Sequence, residues 1–112
     1  MFLFSYNGEI LNKTPHEVTI LDEKGDIDQV IPAVKGEEWR LDEVTTLQGY
    51  INGIRVTKTI YRCSQLPEPK KGVWYIVSAL FKLHYPERDD LLVPAEVIRN
   101  GSKVEGCLSI GI

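Results

Sequence analysis

The chain has 112 residues, 43% of them hydrophobic and 26% charged, which describes one globular domain and excludes both a disordered segment and a two-domain protein. A domain of this length buries roughly 60–70% of its unfolded surface, enough for a core without a structural metal or disulfides. Thirteen Lys and Arg against sixteen Asp and Glu leave a net charge of −3, which argues against a protein that holds duplex nucleic acid through its phosphates.

The opening Met1 to Glu9, MFLFSYNGE, has an apolar stretch of only Phe2 to Phe4 and no basic residue before it, so no secretory leader is expected. No window approaches the roughly 18 apolar residues of a membrane span, so no membrane partner is expected either. Residues 1–11 read as an N-terminal extension or strand and residues 12–112 as a single β-rich domain. Asn12-Lys13-Thr14-Pro15-His16 then forms a turn before a strand at Val18 to Leu21. A second strand, Gln29 to Val34, follows the turn segment Asp22 to Asp26. Trp39 to Leu47 alternates as a further strand, with Glu43 out of pattern. Three Asn-Gly pairs, Asn7-Gly8, Asn52-Gly53 and Asn100-Gly101, suit hairpin turns, because both residues tolerate positive φ. After the second of them, Ile54 to Tyr61 alternates apolar with polar and is expected to be a half-buried strand.

Leu66-Pro67-Glu68-Pro69 cannot be helix or central strand. Val73 to Val77, VWYIV, is an uninterrupted apolar run that suits a strand buried on both faces. Ser78 to Tyr85 is the one expected helix, with Ser78 as N-cap and Pro86 as its stop. Leu91 to Pro94, Glu96 to Arg99 and Val104 to Ile110 complete about eight short strands. The fold class is mainly β, α+β at most: a small β-barrel or curled antiparallel sheet with one helix near 79–85.

No GxSxG, GxGxxG, HExxH or phosphate-loop pattern is present, and no catalytic residues, metal or cofactor are assigned. Cys63 and Cys107 form no CxxC pair and read as buried, reduced thiols of a cytosolic protein, with a single disulfide as the alternative. Thr14 and His16 could present a hydroxyl and an imidazole to a ligand. Equally, the Asn and Thr of this segment could bond nearby backbone in a Pro-containing turn. Arg88-Asp89-Asp90 could orient a ribose or hold a divalent ion, with Arg88 meeting phosphate, or form a solvated, ion-paired turn, and two carboxylates are few for a hard cation. Tyr75 or Trp74 could stack on a base, and Arg99 could meet phosphate.

Asn12-x-Thr14-Pro15-His16-x-Val18, Leu66-Pro67-Glu68-Pro69, Tyr75 to Leu80, Arg88 to Pro94, Val97-x-Arg99 and Gly106-Cys107 together resemble a family of small uncharacterised bacteriophage and prophage proteins. The resemblance runs from about residue 12 to residue 108. Lys13 departs from it, standing where the family more often has an apolar residue, and Met1 to Leu11 lie outside its usual start. It implies a phage accessory protein in the host cytosol. By analogy with small viral proteins that sequester immune signals, the expected activity is capture of a nucleotide-derived ligand without turnover, by a homo-oligomer. The expected ligand contacts are Thr14, His16, Tyr75, Ser78, Arg88, Asp89, Asp90 and Arg99. Two alternatives stand beside it: a module that binds or inhibits a host protein through a sheet edge or apolar patch, and a nucleotide-processing enzyme with His16 as base.

Overall fold

The computed structural model describes residues 7–112. The candidate strand at Phe2 to Phe4 lies outside the described residues. The elements are β1 (Glu9–Asn12), β2 (Val18–Leu21), β3 (Ile27–Ile31), β4 (Asp42–Ile51), β5 (Ile54–Arg62), β6 (Val73–Ile76), α1 (Ala79–His84), β7 (Leu91–Asn100) and β8 (Lys103–Gly111). The protein is mainly β with one short helix, as its sequence indicates.

Six strands form one sheet in the order β1-β6-β7-β8-β2-β3, and β4 and β5 form a separate two-stranded ribbon. The expectation of an antiparallel sheet is corrected here: β1 with β6, β6 with β7, and β2 with β8 are all parallel, so the sheet is mixed. The barrel is corrected too. The sheet curls until Asn12, at the end of β1, bridges Ala33 just beyond β3, the only isolated bridge among the described residues. It brings the two edges together at a point without closing a barrel.

The core explains why β6 is an unbroken apolar run. Successive side chains of a strand alternate between faces, and here both faces are covered. Tyr75 and Val77 pack with Phe81, Leu91 and Cys63 on the helix side. Ile76 packs with Leu92, Val18 and Cys107 on the other. Trp39 does not begin a strand; it lies before β4 and caps the helix-side cluster, its ring 4.6 Å from Tyr75 and 5.8 Å from Phe81. Cys63 and Cys107 are both free and buried, one in each cluster.

The helix begins as its sequence dictates: the Ser78 hydroxyl accepts from the Phe81 amide at 3.1 Å, and Lys82 and His84 sit in the last turn. Ser78→Ala should lower stability by about 1 kcal/mol in a denaturant melt. A change below about 0.3 kcal/mol would mean the cap contributes nothing beyond what water supplies.

The three Asn-Gly pairs behave differently. Asn52 (φ 51°) and Gly53 (φ 77°) both take positive φ, as the type I′ turn joining β4 to β5 requires. The third acts one residue later, since Asn100 pairs with Lys103 and the loop is Gly101-Ser102. The first makes no turn. Gly8 leads straight into β1, where a Cβ would stand 3.1 Å from Trp74 Nε1 and 3.2 Å from the Gly72 carbonyl, so close approach explains the glycine. The break expected between Pro94 and Glu96 is no strand end: β7 runs through it, with Glu96 at φ 51°.

The ribbon gives the molecule its outline. The radius of gyration is 17.7 Å and the principal extents are 58 × 38 × 36 Å, whereas a compact domain of this length has a radius of about 13 Å. β4 and β5 make their extensive contacts only with each other. They form an arm on the body, anchored where the Tyr61 ring meets His84 at 4.7 Å and where Cys63 enters the core.

Candidate functional site

The eight residues expected to meet a ligand do not form one site. Thr14, His16 and Ser78 follow the carboxyl ends of β1 and β6, and Arg88, Asp89 and Asp90 precede the amino end of β7. β6 separates the two groups, and its four residues span about 13 Å. Tyr75 lies between them, 6% exposed and pointing into the core. Arg99 is exposed near the far end of β7, about 25 Å along the strand from Leu91.

At the carboxyl end, the segment from Asn12 to His16 is organised around a buried asparagine. Asn12 Nδ2 donates to the His16 carbonyl (2.8 Å) and to the Ile31 carbonyl (3.2 Å). Its Oδ1 accepts from the Thr14 amide (2.9 Å) and stands 2.7 Å from the Thr14 hydroxyl, which also lies 2.9 Å from the His16 carbonyl. The Thr14 hydroxyl therefore has its proton occupied within the turn. The His16 ring is exposed and takes part in no hydrogen bond among the described residues. Of the two readings of this segment, the geometry realises the turn, with Asn12 as a clasp between β1, its following loop and the end of β3.

At the amino end, Arg88 and Asp90 form a two-point ion pair: Nε to Oδ1 at 2.8 Å and an Nη to Oδ2 at 2.7 Å. The other Nη donates to the Pro67 carbonyl at 2.8 Å. The two side chains are only 12% and 13% exposed. Hydrogen bonding to Arg88 holds the Asp90 carboxyl below its usual range, and Asp90 raises the guanidinium in return. The pair ties the Pro67 loop to the start of β7, where the Asp90 carbonyl accepts from the Tyr75 amide at 2.9 Å. Beside it lies an open cleft of about 290 Å³ lined by Lys70, Lys71, Trp74, Glu87, Arg88 and Asp89 among others.

A second cleft, of about 370 Å³, also touches Trp74 and has Asn7, Ile10, Leu92, Ile110 and Ile112 in its wall. Neither cleft carries a cluster suited to a metal ion; no group of three or more His, Cys, Asp and Glu side chains converges among the described residues. Burial pushes the Cys107 thiol up from its usual range and its Sγ faces the Thr19 carbonyl at 3.6 Å, so this sulfur is a thiol and not a nucleophilic thiolate. No helix among the described residues is long and apolar enough to cross a membrane.

The feature that sequence reasoning missed is on the arm. The pairing of β4 with β5 puts Val44 and Ile60, then Thr46 and Lys58, then Gly49 and Val56, then Ile51 and Ile54 opposite each other, all on one face. The other face carries Glu43 opposite Tyr61, Thr45 opposite Thr59 at 3.1 Å between hydroxyls, and Tyr50 opposite Arg55. Ile51 and Ile54, at the tip, are 64% and 69% exposed. The alternation at Ile54 to Tyr61 marks a strand, but the expectation that it is half-buried is corrected: β5 is exposed along most of its length, and no element among the described residues covers its aliphatic face. Comparison with protein-family models, curated proteins and solved structures finds no match to this chain.

Proposed function

We propose that this chain is a protein-interaction module whose docking element is the β4–β5 arm. The observation that carries this reading is the arm's aliphatic face, which exposes two cross-strand pairs, Ile51 with Ile54 at the tip and Val44 with Ile60 near the base, with Val56 and the polar Thr46–Lys58 pair between them. Apolar side chains gathered on one exposed face of a small protein are a place for another protein to cover. The open backbone edges of β4 and β5 offer the same partner hydrogen bonds. The resemblance to phage proteins supplies a setting, the cytosol of a bacterial host, and two buried free thiols agree with a reducing compartment.

The test compares tagged wild type with an Ile54→Lys, Ile60→Lys variant, both purified from the cells that produce them. The wild type should carry stoichiometric protein, its own copies or another polypeptide, that the variant loses while keeping its melting temperature within a few degrees. Identical profiles would overturn the reading.

One feature favours a second reading, capture of a small nucleotide-type ligand without turnover. The cleft beside the ion pair joins Lys70 and Lys71 to an indole wall, Trp74. Its charges weigh against it: Arg88 is engaged by Asp90 and Pro67, and Glu87 and Asp89 offset the two lysines. A nucleotide panel measured by thermal shift decides this. A rise in melting temperature that Lys70→Ala with Lys71→Ala removes would support capture, and no shift with any member would end it.

A further inference from the structure

Resting on the interaction reading, we propose that the partner of the arm is other copies of this chain. The β4 edge of one copy pairs with the β5 edge of the next, and the ring of arms closes with the aliphatic face inside.

Three observations select this arrangement. The first is charge. β4 carries Asp42 and Glu43 and no basic residue, whereas β5 carries Arg55, Lys58 and Arg62 and no acidic one. A two-fold dimer joining β5 to β5 is antiparallel and at full overlap sets Lys58 against Lys58, which is destabilising, and one joining β4 to β4 sets Asp42 and Glu43 against uncharged residues and gains no ion pair. Joining β4 to β5 sets opposite charges there at every junction, and a head-to-tail contact of this kind closes into a ring.

The second is area. The ribbon is two strands wide and nine to ten residues long, so one face covers roughly 10 × 30 Å, about 300 Å². A stable interface takes about 800 Å² from each partner. Two arms stacked face to face fall well short, whereas a ring uses both edges and the apolar face of every copy. It also removes the unpaired edges.

The third is the chemistry of the two faces. The inward face holds Val44, Ile51, Ile54, Val56 and Ile60, while the outward face is more polar, with Glu43, the paired threonines and Arg55 beside Leu47 and Tyr50. The inward exceptions are Lys58, opposite Thr46, and the Asp42–Arg62 pair at the base of the arm. Closure requires a stagger between neighbouring strands, and an even stagger keeps every side chain on its face. A stagger of four residues brings Lys58 of one copy opposite Asp42 of the next. Side chains fill a barrel of up to about eight strands, which gives three or four copies.

Native mass spectrometry of the purified full chain tests this. The expected species has three or four times the mass of the chain, and Ile54→Lys with Ile60→Lys reduces it to the monomer. Hydrogen exchange supplies a second readout: amides along both β4 and β5 exchange at least tenfold more slowly in the assembly than in that variant. A wild-type monomer, a dimer or an open fibre overturns the ring. A wild-type monomer carrying another polypeptide that the variant loses overturns the ring and leaves the interaction reading standing. A monomer with nothing that depends on the arm overturns both.

Discussion

Replacing Asn12 with alanine is expected to lower the free energy of unfolding by about 2–3 kcal/mol, measured by urea denaturation, because the Thr14 amide and the Ile31 carbonyl lose their partner at once and the His16 carbonyl is left to the Thr14 hydroxyl alone. Asn12 is 6% exposed. Its amide nitrogen serves two carbonyls, at His16 and Ile31, and its oxygen takes the Thr14 amide. The first partner lies in the following turn and the second at the end of β3, so one side chain closes a local turn and also holds together two edges of a curled sheet. Asn12→Asp should be destabilised by a similar amount. It keeps the acceptor for Thr14 but turns a carboxylate toward two carbonyl oxygens. His16→Ala, in the same motif, should change stability by less than about 0.5 kcal/mol, since the ring is exposed and unbonded. Equal effects at the two positions would mean that the motif serves something other than the turn.

Removing the Arg88 side chain should cost about 2–3 kcal/mol at pH 7, because it leaves the Asp90 carboxylate mostly buried without its partner and frees the Pro67 carbonyl. The loss also has a pH signature. The folded pKa of Asp90 lies below the ordinary carboxylate value of 3.8. The unfolded chain therefore binds the proton first as pH falls, and the stability contributed by the pair is complete above about pH 5 and fades as pH drops through and below 4. Wild type should lose this contribution progressively as pH falls below about 5, and Arg88→Ala should show a flatter acid limb, its curve approaching that of wild type at the acid end. A gap that stays constant down to pH 2.5 would show that the variant acts through lost packing and not through the ion pair.

Both results bear on function. If Asn12, Thr14, Arg88 and Asp90 are engaged with their own chain in the ways described, the polar residues that invite a ligand assignment act first as fasteners of loops. A cluster of polar residues in a small β protein is then explained by the work of holding a mixed sheet, whose parallel strands are joined through long connections and not by tight turns. Attention moves from that motif to the arm, where the apolar residues exceed what one copy can bury.

Local chemistry was sufficient for much of the fold. The alternation from Ile54 onward, the positive-φ pair Asn52-Gly53, the apolar run Val73 to Val77, the Ser78 cap and the Pro86 stop each depend on neighbours within a few residues, and each forms the element read from it, although the strand from Ile54 is exposed along most of its length and not half-buried. A strand buried on both faces was itself a sign of parallel pairing, since such strands need cover from both sides. It could not name the neighbours, because β1 and β6 meet across about sixty residues and nothing in either tetrapeptide specifies the other. Likewise, the carboxylates and cations near residues 12–16 and 88–90 were legible as polar clusters, but whether they face a ligand or each other depends on which loop lies opposite. Pro67 beside Arg88 and Ile31 beside Asn12 are long-range facts. The sequence by itself determined that the chain is a small β domain with one helix, and where the turn between β4 and β5 falls, because those follow from backbone preferences and the period of apolar residues. Only the tertiary structure decided that the sheet is mixed and unclosed and that the candidate ligand residues split across β6. It also decided that one apolar face stands on an arm in solvent, because burial belongs to the packed whole and not to any segment of it.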